Sequence, residues 1–119
     1  MEDTKVTVQV LKDAIKKVAD ERDWNRFHSP RNLSMAISVE ASELMEKFLW
    51  LDDVQAREEL QNNRQEIEDE LADVVIAALS FCNNANINLA SAVIKKIEEI
   101  SKKYPVEKAK GRFVKYTKL

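Results

Sequence analysis

The chain carries one glycine, Gly111, and two prolines, Pro30 and Pro105, in 119 residues. So few turn formers leave room for few connections, and the fold they permit is a small set of long helices, not a sheet. With 45% hydrophobic residues the chain can bury a real core, and its length suits one domain. A net charge of −2 gives no global pull toward nucleic acid or membrane. No apolar run approaches the roughly 18 residues of a membrane span. Met1-Glu2-Asp3 lacks the basic and apolar regions of a secretory signal. The single Cys82 lies in an apolar helical pattern and reads as a small core residue. With no disulfide framework, a cytoplasmic location is expected.

Periodicity predicts four principal helices. The first runs from a Thr7 cap to about Arg22, with Val8, Leu11, Ile15 and Val18 on its apolar face. The second runs from Pro30 to about Trp50, started by Ser29 as N-cap and Pro30 at the first helical position. A short helical piece follows Asp52 or Asp53. The third principal helix spans about Arg64 to Asn84, and the fourth runs from an Asn88 cap to about Tyr104, stopped by Pro105. Beyond it, residues 108–119 form a basic tail with Phe113 and Tyr116 among the charges. The tail suits a polyphosphate or RNA, or is simply a solvated end.

Chemistry is concentrated in acid pairs. The chain has 21 acidic residues, and acids at i, i+3 occur five times, so spacing alone selects nothing. Phase relative to the apolar stripe does. At ~100° per residue, Ile37, Leu44, Phe48 and Leu51 fall within about 60° of Leu33, and Glu40 falls about 20° from it, in mid-stripe. Glu43 sits at the stripe's edge. On the third helix the stripe is Ile67, Leu71, Val74, Ala78, Phe81 and Ala85, with Glu70 roughly 60° and Asp73 roughly 120° from its centre. Acids are rarely buried unless paired or metal-bound. The alternative is an ion pair with Lys47, the nearest base on that face. Glu40, Glu43, Glu70 and Asp73 on facing helices would offer four carboxylates to one hard cation, Mg²⁺ first and Mn²⁺ second. A di-iron centre of the Glu-x-x-His type is excluded, because the only histidine lies in a loop and Asn25 stands three residues before it. No glycine-rich phosphate loop is present. Carboxylate-held Mg²⁺ commonly bridges substrate phosphates, so a phosphate-bearing substrate follows.

The stretch Asp23 to Asn32 is the least helical of the chain. It holds Trp24, Phe27, the lone His28, Arg26, Arg31 and Asn32, and feeds the N-terminus of the second helix. Such a loop suits a ligand lip, or a cover for the end of the bundle.

Glu40-x-x-Glu43 followed by Glu70-x-x-Asp73 resembles the ExxE…ExxD signature of the all-α nucleotide pyrophosphohydrolases, the MazG-like superfamily. Glu21-Arg22-Asp23-Trp24, Phe27-His28, Pro30-Arg31-Asn32-Leu33, Phe48, Trp50, Tyr104-Pro105 and Lys115-Tyr116-Thr117 are similar, within it, to the dCTP pyrophosphatases. The resemblance spans about residues 11–118. It implies a four-helix subunit in a homodimer or homotetramer. It implies Mg²⁺-dependent hydrolysis of a (deoxy)nucleoside triphosphate, dCTP-like or a modified pyrimidine, to monophosphate and pyrophosphate, in cleansing the nucleotide pool. Glu40, Glu43, Glu70 and Asp73 would be the metal ligands and catalytic acids. Trp24, Phe27 and His28 would line the nucleotide pocket with Arg31 and Asn32 beside it, and Trp50 would stack on the base. Ile15 and Ala77 stand where that group has a pocket His and a pocket Tyr, which loosens the expected base preference. The rival expectation is a non-catalytic helical module that binds a nucleotide, or a regulatory oligomer.

Overall fold

A computed structural model describes residues 1–119, which form helices joined by turns and short irregular connections, with no strand. Helix α1 is Val8–Glu21, followed by a 3-10 turn at Trp24–Phe27. Then come α2 (Pro30–Glu46), α3 (Asp53–Asn62), α4 (Arg64–Ala85), α5 (Leu89–Lys103), α6 (Val106–Ala109) and a second 3-10 turn at Tyr116–Lys118. The four principal helices expected from periodicity are α1, α2, α4 and α5, and α3 is the short piece after Asp52. No single helix is long and apolar enough to cross a membrane.

The helix starts follow capping chemistry. The hydroxyl of Thr7 accepts from the amide of Val10, that of Ser29 from Asn32, and the amide oxygen of Asn88 from Ser91. Asp52 and Gln55 form a reciprocal capping box at the start of α3. Helix α4 ends at Asn86, whose φ of 55° places it in the left-handed region that asparagine tolerates in place of glycine. Replacing Ser29 with Ala leaves an orphan donor at the α2 terminus. The expected loss is about 1 kcal/mol, read by denaturant unfolding.

One boundary and one buried face differ from the sequence expectation, for physical reasons. Helix α2 stops at Glu46, four residues short of Trp50. There the amides of Lys47 and Phe48 turn back to the carbonyls of Leu44 and Met45, and Leu51 to Phe48, which tightens the end into i→i−3 bonds. The single stripe drawn for α4 also proves too narrow. Ile67, Ala77, Leu79, Ser80 and Cys82 are its buried residues, while Leu71 remains 51% exposed. Helix α4 packs against α2 on one side and α1 on another, so its C-terminal half is enclosed around most of its circumference. Cys82 is a buried free thiol, as its apolar setting suggests.

The chain divides into two compact units, Met1–Asn86 and Ile87–Leu119. In the first, the carboxamide of Asn83 donates to the carbonyl of Lys12 at 2.9 Å, tying α4 to α1. In the second, the basic tail turns back to the end of α5. The Tyr104 and Tyr116 rings meet edge to face at 5.9 Å, and the Tyr116 amide donates to the Tyr104 hydroxyl. The Lys103 ammonium lies 4.9 Å from the Tyr116 ring centre. Gly111, at φ 73°, makes the left-handed step that the reversal requires.

Candidate active site

The apolar stripe of α2 turns Glu40 inward against α4, where Glu70 faces it. Glu40, Glu43 and Glu70 each bring a carboxylate oxygen to within 4.8 Å of the others. Glu40 and Glu70 are half-buried and Glu43 is exposed. One oxygen of Glu40 and one of Glu70 are fully buried with no hydrogen-bond partner. Buried polar atoms left in this state are costly, and native proteins satisfy them almost always.

Lys47, the nearest base to Glu40 on that face, is committed elsewhere. It pairs with Glu66 at 3.2 Å across the α2–α4 seam. The cluster therefore holds unpaired acidity. The charge of Glu40 beside it is the main cause that raises the Glu43 carboxyl above its usual range. Burial raises Glu70, the charge of Glu43 adds to the rise, and Lys47 partly opposes it. Asp73 is exposed and stands outside the tight triad, one turn along α4 from Glu70, near enough that its charge also raises both glutamates.

These features fit a divalent cation. The donors are all carboxylate oxygens, two are orphaned, and no histidine or cysteine joins them. That donor set suits a hard ion in preference to zinc.

A cavity of about 320 Å³ opens between α1 and α4, beside the 3-10 turn. Helix α1 lines it with Ile15, Val18 and Ala19, α4 with Ile76 and Ser80, and the intervening segment with Trp24 and His28. A second cavity of about 270 Å³ shares Ile15, Ala19, His28 and Ser80 but is edged by Asp20, Asn25, Asn83 and Asn84. The segment is held in place by local bonds. Asp23 sits at φ 53°, the Asn25 carboxamide donates to Asp20, and the Arg22 guanidinium lies 5.7 Å from the Trp24 ring centre. The Asn84 carboxamide donates to the His28 carbonyl at 3.1 Å, fastening the segment to α4.

The expected nucleotide-pocket residues thus divide. Trp24 and His28 line the cavity. Phe27 is 60% exposed under the Arg26 guanidinium, and Asn32 donates to the Phe27 carbonyl, so Asn32 braces the loop. Arg31 is exposed and meets Asn32. Trp50 is 89% exposed, carried away from the bundle by the tightened end of α2. Ile15 lines both cavities, whereas Ala77 is buried in the core of the first unit. Sequence reasoning did not single out Ser80 or Ile76. The available signal was their spacing from Asp73, at i+7 and i+3 on the same face of α4.

Comparison with known proteins identifies the family. Residues 35–119, which include all four acidic positions, match the model of the MazG-like family. The chain is 34% identical over 115 residues to mouse dCTP pyrophosphatase 1, covering 95% of this chain and 68% of that protein. Its identity to human dCTP pyrophosphatase 1 is 32% over the same shares. Among solved structures, a pyrophosphatase from Archaeoglobus fulgidus superimposes with a TM-score of 0.80 at 36% identity, covering 88% of this chain and 98% of the other. With its acid pairs on facing helices and these relatives, the chain belongs to the MazG-like family of nucleotide pyrophosphohydrolases.

Proposed function

We propose that this pyrophosphohydrolase hydrolyses a dCTP-like (deoxy)nucleoside triphosphate between its α and β phosphates, in the service of nucleotide-pool cleansing. The orphaned, buried oxygens of Glu40 and Glu70 carry the reading, since nothing in the chain satisfies them. Glu40, Glu43 and Glu70, completed by Asp73, would hold Mg²⁺. Bound there, the ion would offset the charge of the triphosphate and acidify a water.

The chain's own residues do the rest. Glu43 is the exposed member of the triad, open to the attacking water, and is the proposed acceptor for its proton. Trp24 offers a ring face to the base at the mouth of the cavity, while Ile15, Val18 and Ala19 exclude water from around it. Asp73 and Ser80 lie seven residues apart on one face of α4, a rise of roughly 10 Å. That spacing suits a nucleoside whose phosphates reach the acids while its base lies in the cavity. Truncating Trp24 to Ala is expected to raise KM by roughly fivefold to a hundredfold with a smaller change in kcat, because base stacking contributes about 1–3 kcal/mol.

The enzyme is read as a homo-oligomer in the cytoplasm. Leu11 of α1 and Leu71 and Val75 of α4 leave apolar surface exposed in one copy, outside the nucleotide cavity, which favours association. The buried thiol of Cys82 fits a reducing compartment. The test is release of pyrophosphate from a panel of canonical and modified dNTPs with Mg²⁺ and with EDTA. Release that requires Mg²⁺ is expected. No release from any substrate by folded protein sinks the proposal.

A further inference from the structure

Ser80 is the one polar residue buried in the protein, at 8% exposure. Serines inside helices ordinarily donate to a carbonyl one turn back. Ser34, Ser42 and Ser101 do so here, to Arg31, Ser38 and Ile97. Ser80 makes no such bond, and its side chain forms part of the wall shared by the two cavities. Its hydroxyl is therefore available as both donor and acceptor at the junction of an apolar chamber and one edged by amides. In the apolar chamber the other polar groups are the His28 imidazole and the Trp24 indole N–H, and Ser80 is the one on α4.

We infer that Ser80 is a specificity-determining residue, whose hydroxyl hydrogen-bonds the edge of the base seated against Trp24. This rests on the reading of the cavity as the nucleotide site. A flat apolar chamber contacts every base alike, because each has a π face. Discrimination needs a directional partner, and one that is desolvated penalises a base unable to pair with it. Ser80 shares its wall with Ile15 and Ala19, so a base seated there would displace the water that otherwise competes for the hydroxyl. The base is then chosen by a hydroxyl on α4, seven residues beyond Asp73, and the same helix carries both the metal-side acid and the base-side reader.

Non-hydrolysable α,β-imido analogues of the four common dNTPs, titrated calorimetrically against wild type and Ser80→Ala, test the inference without turnover. Wild type is expected to rank the bases. Ser80→Ala should lose about tenfold in affinity for the favoured base and little for the others, so that the ranking flattens. Ser80→Thr, which keeps the hydroxyl, should restore most of the preference. An unchanged ranking in Ser80→Ala overturns the inference, as does a wild type that binds none of the panel. Pyrophosphate release, measured separately, decides whether the reaction class stands when the ranking does not move.

Discussion

Glu43→Gln is expected to lower kcat by two to four orders of magnitude while making the metal-free protein more stable. The two effects have one cause. Glu43 lies in an acid cluster with Glu40 and Glu70 and no resident cation from the chain. Removing its charge removes a ligand and the proposed proton acceptor, whose contribution as a general base is typically 10²–10⁴-fold. It also removes the repulsion that lifts the carboxyl above its ordinary value of 4.5. The sign in pH follows from linkage. A carboxyl that holds its proton more tightly when folded favours the folded state below the unfolded value, and that contribution is lost as pH rises through the folded one. The contribution of Glu43 and Glu70 to the stability of the metal-free wild type should therefore fall as pH climbs from below 4.5 toward neutrality, against the opposite contribution of Asp20 and Glu99, whose carboxyls are lowered by Lys16 and Lys96. Glu43→Gln should flatten that fall. Saturating Mg²⁺ at neutral pH should raise the wild-type midpoint, by about 2.7 kcal/mol of stability at a hundred times Kd, and do far less for the variant. Thermal melts across pH, with Mg²⁺ and with EDTA, read all of this. A variant that melts lower than wild type without metal would mark Glu43 as a structural acid.

That opposition between activity and stability explains why part of the site is legible in sequence. Glu40 stands out because an apolar stripe fixes helical phase, and a charge inside the stripe breaks the pattern. The Ser29–Pro30 start is equally visible, since a cap and a proline act within one turn. Ser80 is hidden for the opposite reason. A helical serine carries no mark in sequence of where its hydroxyl turns, and Ser80 stands out only when α1 closes over α4 and leaves it in a cavity wall. At Trp50 the difference lies in a boundary. A few residues of i→i−3 bonding at the end of α2 replace the expected helical turn, and the indole stands exposed in one copy. The burial of α4 exceeds what one helical wheel can encode, because two neighbours enclose it and the wheel assumes one.

The two-sided burial of α4 sets the second large effect, which Leu79→Ala exposes. Leu79 is 2% exposed, the most enclosed of the core residues, and it borders the groove between α1 and α4. Truncation removes transfer energy and leaves a cavity that two rigid helices cannot close. The expected cost is about 2–5 kcal/mol. Against the roughly 5–15 kcal/mol of a domain this is a large fraction, and the midpoint should fall by ten degrees or more. Leu71 supplies the contrast. It lies two turns earlier on α4, beside the same groove, yet is 51% exposed in one copy. In a lone subunit Leu71→Ala should cost little, since half its surface already meets water. If a second copy covers the groove, its loss should grow with protein concentration, because stability is then coupled to association. Melting both variants over a hundredfold range of concentration separates the cases. Leu79→Ala should be destabilised at every concentration, and Leu71→Ala chiefly where wild type is assembled. A Leu71→Ala midpoint that tracks wild type throughout would remove the α1–α4 groove from the subunit interface.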